Sequence, residues 1–280
     1  MRDRAPSTPI GSVTRGTTNT NRLRRVDRWI TALPELRRAT APLVVDLGYG
    51  ASGVTTFELY GRLARMRPDV RVVGFEIERG RVDTARRQLE AQEDERIRSA
   101  VRFEVGGFEV PLPPGDRATV VRAFNVLRQY DEADVLPAWR TMLRRVDADG
   151  LLIDGTCNEV GRVAAWVDVS PAGPRSLTIA LRLSRLDRPS VAAERLPKVL
   201  IHRNVPGEPV HDLLVALDRA WQLAAPLASY GPTQRWIACV QQLRDAGWPV
   251  IGGRSRWRLG EVTVPWASVQ PRGFAWPEEG

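Results

Sequence analysis

Histidine, cysteine and lysine are almost missing from these 280 residues, and each shortage excludes something. The two histidines, His202 and His211, have no cysteine near either. They leave too few nitrogen and sulfur donors for a transition-metal centre, so no metal site is expected. Two cysteines, Cys157 and Cys239, without CxxC spacing are too few for a disulfide framework and fit a reducing cytoplasm. No apolar run approaches the roughly 20 residues of a membrane-spanning helix. The first residues, with Arg2, Asp3, Arg4, Pro6 and Ser7, lack the apolar stretch of a signal peptide. Lys198 is the sole lysine among 41 basic residues, the pattern of a GC-rich bacterial genome that writes arginine for lysine throughout. The net charge of +8 is therefore weak evidence for phosphate contact by itself. Its distribution says more, because residues 1–28 carry seven arginines against Asp3 and Asp27, a net of +5. Nucleic acid stays open as a partner, beside a solvated basic arm.

What the chain does have is an alternation of apolar runs and helical patterns. Residues 1–20 hold almost no large apolar side chain and are expected to form a mobile basic arm. A helical pattern starts at Asn21, with Leu23, Val26, Ile30 and Leu33 on one face. Then come an apolar strand over 43–47, a crossover helix over 52–65, a second strand over 70–76 and a charged helix over 79–93. Strands over 101–105, 118–124 and 150–154 follow, the last preceded by a helix over 131–146. This order predicts an α/β fold with a mostly parallel sheet. After it the spacing predicts an antiparallel hairpin over 163–169 and 177–183, turned at Pro171–Pro174. Residues 190–250 read as helical, with Trp221, Trp236 and Trp248 as core, and 254–258 and 262–266 read as short strands. Arg254, Arg256 and Arg258 would then share one strand face. The expected division is an arm over 1–20, a ligand-binding domain over 21–185, and a helical and short-strand subdomain over 186–280.

The densest signal is Asp46-Leu-Gly48-Tyr49-Gly50-Ala-Ser52-Gly53, after the first apolar run, followed 26 residues past Gly50 by Glu76 at the end of the second. Glycines between a strand and a helix let backbone approach a ligand, and ligands of open α/β sheets sit beyond the carboxyl ends of the strands. Gly48, Gly50 and Glu76 converge on one pocket by that rule. The glycines at 48, 50 and 53 alone fit a dinucleotide fold equally well.

Taken together, Asp46–Gly53 resembles the first motif of the class I S-adenosylmethionine-dependent methyltransferases, and Gly74-Phe-Glu76-Ile77-Glu78 resembles their second. That resemblance covers about half the chain and implies a Rossmann-like sheet with helices on both faces. It also implies S-adenosylmethionine as cofactor, with Asp46 near its methionine part and Glu76 on its ribose. Tyr49, Ser52, Gly53 and Ile77 would complete the cofactor cradle. The family's adenine-contacting loop falls at Gly106-Gly107-Phe108. Where many members carry an acid after the first glycine this chain has Gly107, so the backbone amides of Gly107 and Phe108 are the expected contacts.

Groups facing the acceptor follow the fourth strand in this family, which nominates Asn125, Arg122 and Tyr130 as catalytic candidates. Asn125 could also touch the cofactor. Arg122 stands in an otherwise apolar strand and needs a carboxylate partner, with Asp46, Glu76 or a substrate acid available. Asn125-Val-Leu-Arg lacks the proline pair and aromatic of adenine-N6 methyltransferases. Gly155-Thr-Cys157 lacks the second cysteine of RNA cytosine-C5 enzymes. The acceptor is thus unidentified, and a non-catalytic S-adenosylmethionine-binding or nucleic-acid-binding module is the alternative to methyl transfer.

Overall fold

In a computed structural model, residues 8–17 and 19–277 are described, and the chain divides into two compact units. The first comprises Met1–Asp154 with Glu159–Gly161, the second Gly155–Asn158 with Arg162–Gly280.

The first unit begins with two short helices, α1 (Arg24–Ile30) and α2 (Pro34–Arg38). Strand β1 (Leu43–Leu47) leads through the glycine turn into α3 (Val54–Leu63). Strand β2 (Arg71–Glu76) is followed by α4 (Arg79–Glu90), α5 (Glu95–Ala100) and β3 (Val101–Val105). Next come β4 (Ala118–Phe124), α6 (Val135–Leu143) and β5 (Val146–Cys157), whose last three residues belong to the second unit. The strand order is β3-β2-β1-β4-β5, with β1 paired in parallel to both β2 and β4 and β2 to β3. Parallel strands joined through helices and ordered 3-2-1-4-5 make this unit a Rossmann-like α/β fold. β1 and β4 are buried along their whole length, the reason both read as continuous apolar runs. Neither α2, which starts at the proline where the helical pattern from Asn21 was expected to end, nor α5 had a sequence counterpart; α5 is a single polar turn and a half with no buried residue, capped by the Asp94 side chain on Arg96 N–H at 3.0 Å.

The second unit is built on an antiparallel ladder, β6 (Val163–Ser170) with β7 (Gly173–Leu181) and β7 with β8 (Glu261–Pro265). Between β7 and β8 lie α7 (Lys198–Ile201), α8 (Pro209–Leu223), α9 (Pro232–Asp245) and α10 (Arg254–Trp257). The contacts divide the chain at Asp154 rather than near 185, because the hairpin bonds to β8 and so groups with the C-terminal residues. Trp221 and Trp236 are buried with ring centroids 6.3 Å apart, whereas Trp248 is only half-buried. The strand expected over 254–258 is instead a helical turn. It buries Trp257 and sends Arg256 to the buried Glu261 carboxylate at 2.6 Å, so the three arginines form no strand face. Among the described residues, no helix is long and apolar enough to cross a membrane, and no group of His, Cys, Asp and Glu could hold a metal ion.

Candidate functional site

The carboxyl ends of β1 and β2 bring their two acids to different places. Asp46 lies inside β1, in register with Arg122 of β4. Paired residues of adjacent parallel strands project to the same face, so the guanidinium reaches the carboxylate: Nε donates to Oδ1 at 3.0 Å and Nη2 to Oδ2 at 2.6 Å. Thr56 of α3 donates to the same Oδ2 at 2.8 Å. Arg122 Nη1 also donates to Asp27 of α1, which Arg62 of α3 pairs from its other oxygen at 2.7 Å. Asp27, Asp46 and Arg122 are buried, and burial pushes the Asp27 carboxyl up to about 6 against the pull of both arginines. The partner that the sequence demanded for Arg122 is thus Asp46, joined by Asp27. The cluster ties α1 and α3 to the sheet, and neither Asp46 nor Arg122 lines the cavity described next.

Glu76 ends β2 and does line it. Its Oε2 accepts from Gly50 N–H at 3.1 Å and its Oε1 from Ile77 N–H at 2.9 Å, with Arg81 Nη1 3.6 Å from Oε2. Gly48 turns at φ +67°, and a Cβ there would stand 2.6 Å from a Val126 methyl carbon. Only glycine holds this bend at no steric cost. Around the cavity stand Leu47, Gly48, Glu76, Ile77, Gly107, Phe108 and Tyr130, so β1, β2 and the loops after β3 and β4 all reach it. Phe108 and Tyr130 pack with ring centroids 5.1 Å apart.

Other nominated residues serve the turn without lining the cavity. The buried Tyr49 ring meets Phe103 edge-on at 5.1 Å, and its hydroxyl is pushed to higher pKa by burial and then by Glu76. Gly53 precedes α3 and donates to Gln88 Oε1 at 2.9 Å, and a Cβ on it would press on Phe103 at 2.6 Å. Ser52 sits half-buried between them. Asn125 is half-buried just past β4 with φ +60°, a left-handed conformation that asparagine tolerates better than most residues.

The amides expected to meet a ligand are both engaged within the chain. Gly107 N–H donates to Glu109 Oε1 at 2.9 Å and Phe108 N–H to the Ile10 carbonyl at 2.8 Å. Ile10, Ser12 and Thr14 belong to the segment expected to be a free arm, yet they line the cavity. The part of that arm over 1–7 and Thr18 lies outside the described residues. Sequence reasoning missed these residues and Glu109. Ile10 and Val13 are the large apolar residues of that segment, and an acid two places after Gly107 was legible as an alternative to the one missing at 107.

No model of a protein family matches the chain, and no curated protein does. Among solved structures, the mitomycin 7-O-methyltransferase MmcR is similar at 21% identity and a TM-score of 0.37, over 48% of this chain and 36% of that one. The CcbJ methyltransferase from Streptomyces caelestis is similar at 19% identity and 0.36, over 57% and 65%. The glycopeptide N-methyltransferase MtfA, solved with S-adenosyl-L-methionine, is similar at 16% and 0.35, over 54% and 58%. The matched stretch is less than two thirds of each of those chains.

Proposed function

We propose that the chain is an S-adenosylmethionine-dependent methyltransferase. The observation that carries the reading is the convergence on one cavity of a positive-φ glycine turn after β1, a buried carboxylate at the tip of β2, and the amides of Gly107 and Phe108 after β3. Glu76 suits the ribose diol, since a carboxylate already oriented by two backbone N–H groups keeps lone pairs for hydroxyl donors. Gly48 leaves room for a chain of ligand atoms against backbone, and the Phe108 ring offers an apolar wall for a base. The cofactor, when bound, supplies an activated methyl group for in-line displacement.

For such a reaction the protein's contribution is chiefly alignment. Tyr130 and Asn125 follow β4, with Tyr130 on the cavity wall, and they are the residues proposed to face the acceptor. Arg122 is not among them, because its guanidinium is spent on Asp46 and Asp27.

Titration calorimetry with S-adenosylhomocysteine tests the cofactor assignment. Labelled methyl transfer to total RNA, protein and small-molecule fractions then tests the activity and finds the acceptor class. Binding together with transfer into one fraction is the expected result; binding without transfer would favour a cofactor-sensing module, and no binding would remove the reading.

A further inference from the structure

The N-terminal segment lies where a cofactor of this kind has to go, and it is held there by backbone hydrogen bonds along its length. Ile10 carbonyl accepts from Phe108 N–H at 2.8 Å, while Ile10 N–H donates to Glu109 Oε2 at 2.8 Å. Ser12 N–H donates to the Tyr130 hydroxyl, Thr14 carbonyl accepts from Arg81 Nη2 at 2.9 Å, and Arg15 N–H donates to Gln129 Oε1 at 3.1 Å. Gly16 carbonyl accepts from Ala51 N–H at 2.9 Å, inside the glycine turn itself. Alternate residues Ile10, Ser12 and Thr14 face the cavity, the period of an extended chain. What is left open is about 10 Å³, room for a single water. A drug-sized ligand needs a pocket of roughly 300 Å³ or more. The approach at Gly107 is so close that a Cβ there would lie 2.1 Å from the Ile10 oxygen.

The Ile10 contacts are chemically specific. One N–H donor from Phe108 and one carboxylate acceptor from Glu109 grip a neighbouring acceptor and donor on Ile10. The pairing edge of adenine offers that same combination, a ring nitrogen acceptor beside an amino donor. We propose that residues 10–16 are a displaceable strap. Its Ile10 peptide occupies the adenine subsite on Phe108 and Glu109, so that strap and cofactor exclude each other and cofactor affinity is set by how readily the strap leaves. The proposal rests on the cofactor reading above and adds regulation of the same site. A strap that must leave lowers the apparent affinity by the fraction of molecules already open.

The test compares S-adenosylhomocysteine binding by calorimetry for the full chain, for a chain lacking residues 1–17, and for full-length Ile10→Pro. The proline deletes the N–H that Glu109 accepts. Both variants are expected to bind at least about tenfold more tightly than the full chain. If the deleted chain does not fold, Ile10→Pro decides alone. In parallel, trypsin cleavage after Arg15 is followed by mass spectrometry, and S-adenosylhomocysteine should accelerate it, since proteolysis tracks the open population. Unchanged affinity in the folded variants, or protection of Arg15 by the ligand, overturns the strap while leaving cofactor binding intact. No binding by any of the three proteins overturns the cofactor reading and the strap with it.

Discussion

Asp46 and Glu76 stand near the carboxyl ends of neighbouring parallel strands and arise from one pair of motifs, yet they differ in what surrounds them. Asp46 is met by a guanidinium and a hydroxyl, and Asp27 and Arg62 extend the network to α1 and α3. Glu76 is met by two backbone amides at the cavity wall, with Arg81 at a longer 3.6 Å. Asp46 pairs with Gly74, so Glu76 lies two residues further along its strand, past the last paired position of β1. An acid within the pleat is committed to the layer beside the sheet, whereas an acid past its end belongs to the ligand side. Motif matching treats both as cofactor ligands; the register separates them into an acid paired beside the sheet and an acid on the cavity wall.

The largest effect expected from this difference is on folding. Arg122→Leu would leave Asp27 and Asp46 buried without their shared cation, and breaking a buried pair from one side costs about 3–5 kcal/mol. Urea unfolding followed by circular dichroism should show a loss of that size or no folded protein. A variant of near wild-type stability would mean that the cluster is solvated and the comparison false.

Glu76→Gln should act on binding instead. It keeps one carbonyl acceptor for Gly50 or Ile77 but removes the charge, and charge-assisted hydrogen bonds are worth roughly 1.5–3 kcal/mol each. S-adenosylhomocysteine affinity should fall about tenfold or more. The same acid-to-amide change at Asp46 should cost more stability than at Glu76, and equal losses by calorimetric melting would erase the distinction.

Much of this was readable beforehand, and the limits have physical causes. β3 and β4 have the ends predicted for them, β4 because a strand buried along its whole length carries few ambiguous residues and β3, at the sheet edge, because its buried and exposed residues alternate. Arg122 in an apolar strand announced a buried carboxylate, but Asp27 could not be named, since the pairing spans 95 residues through tertiary packing. Residues 10–16 were illegible for another reason. Their attachment runs through backbone groups, which every residue except proline shares, so composition carries no trace of it. Arg254–Trp257 misled because arginines alternating with Ser255 and Trp257 over four residues suit a helical turn as well as a strand.

Gly48 sharpens the comparison at the turn between the two acids. Gly48→Ala must hold φ near +67° and bring a Cβ to 2.6 Å of Val126. The left-handed conformation alone costs about 1–2 kcal/mol for a residue with a Cβ. Val126→Ala combined with Gly48→Ala should recover the steric part and leave the conformational part. A double variant no better than Gly48→Ala alone would place the whole cost in the backbone.

A third acid extends the series and gives the smallest effect. Asp154 lies near the carboxyl end of β5, fully buried, accepting from Trp139 Nε1–H at 3.0 Å. It has the burial of Asp46 without an arginine, and burial lifts its pKa from 3.8 to about 7 while the indole N–H only partly opposes the rise. The folded protein therefore keeps a proton between pH ~4 and ~7 that the unfolded chain has lost. Stability must fall as pH rises through that window, and the whole cost of an ionised Asp154 is present above it. Asp27 titrates in the folded state near 6, so its share is largely complete by pH 6.5. Between pH 6.5 and 8 the remaining loss should come mainly from Asp154 and amount to roughly 1 kcal/mol. Asp154→Asn preserves an acceptor for Trp139 and cannot ionise, so it should be more stable than the native chain at pH 8 and should flatten the profile above pH 6.5. Urea midpoints at the two pH values measure this directly. An unchanged slope in Asp154→Asn would show that the carboxylate is stabilised by its surroundings as Asp46 is, and that strand-end acids here do not need a cation to stay charged.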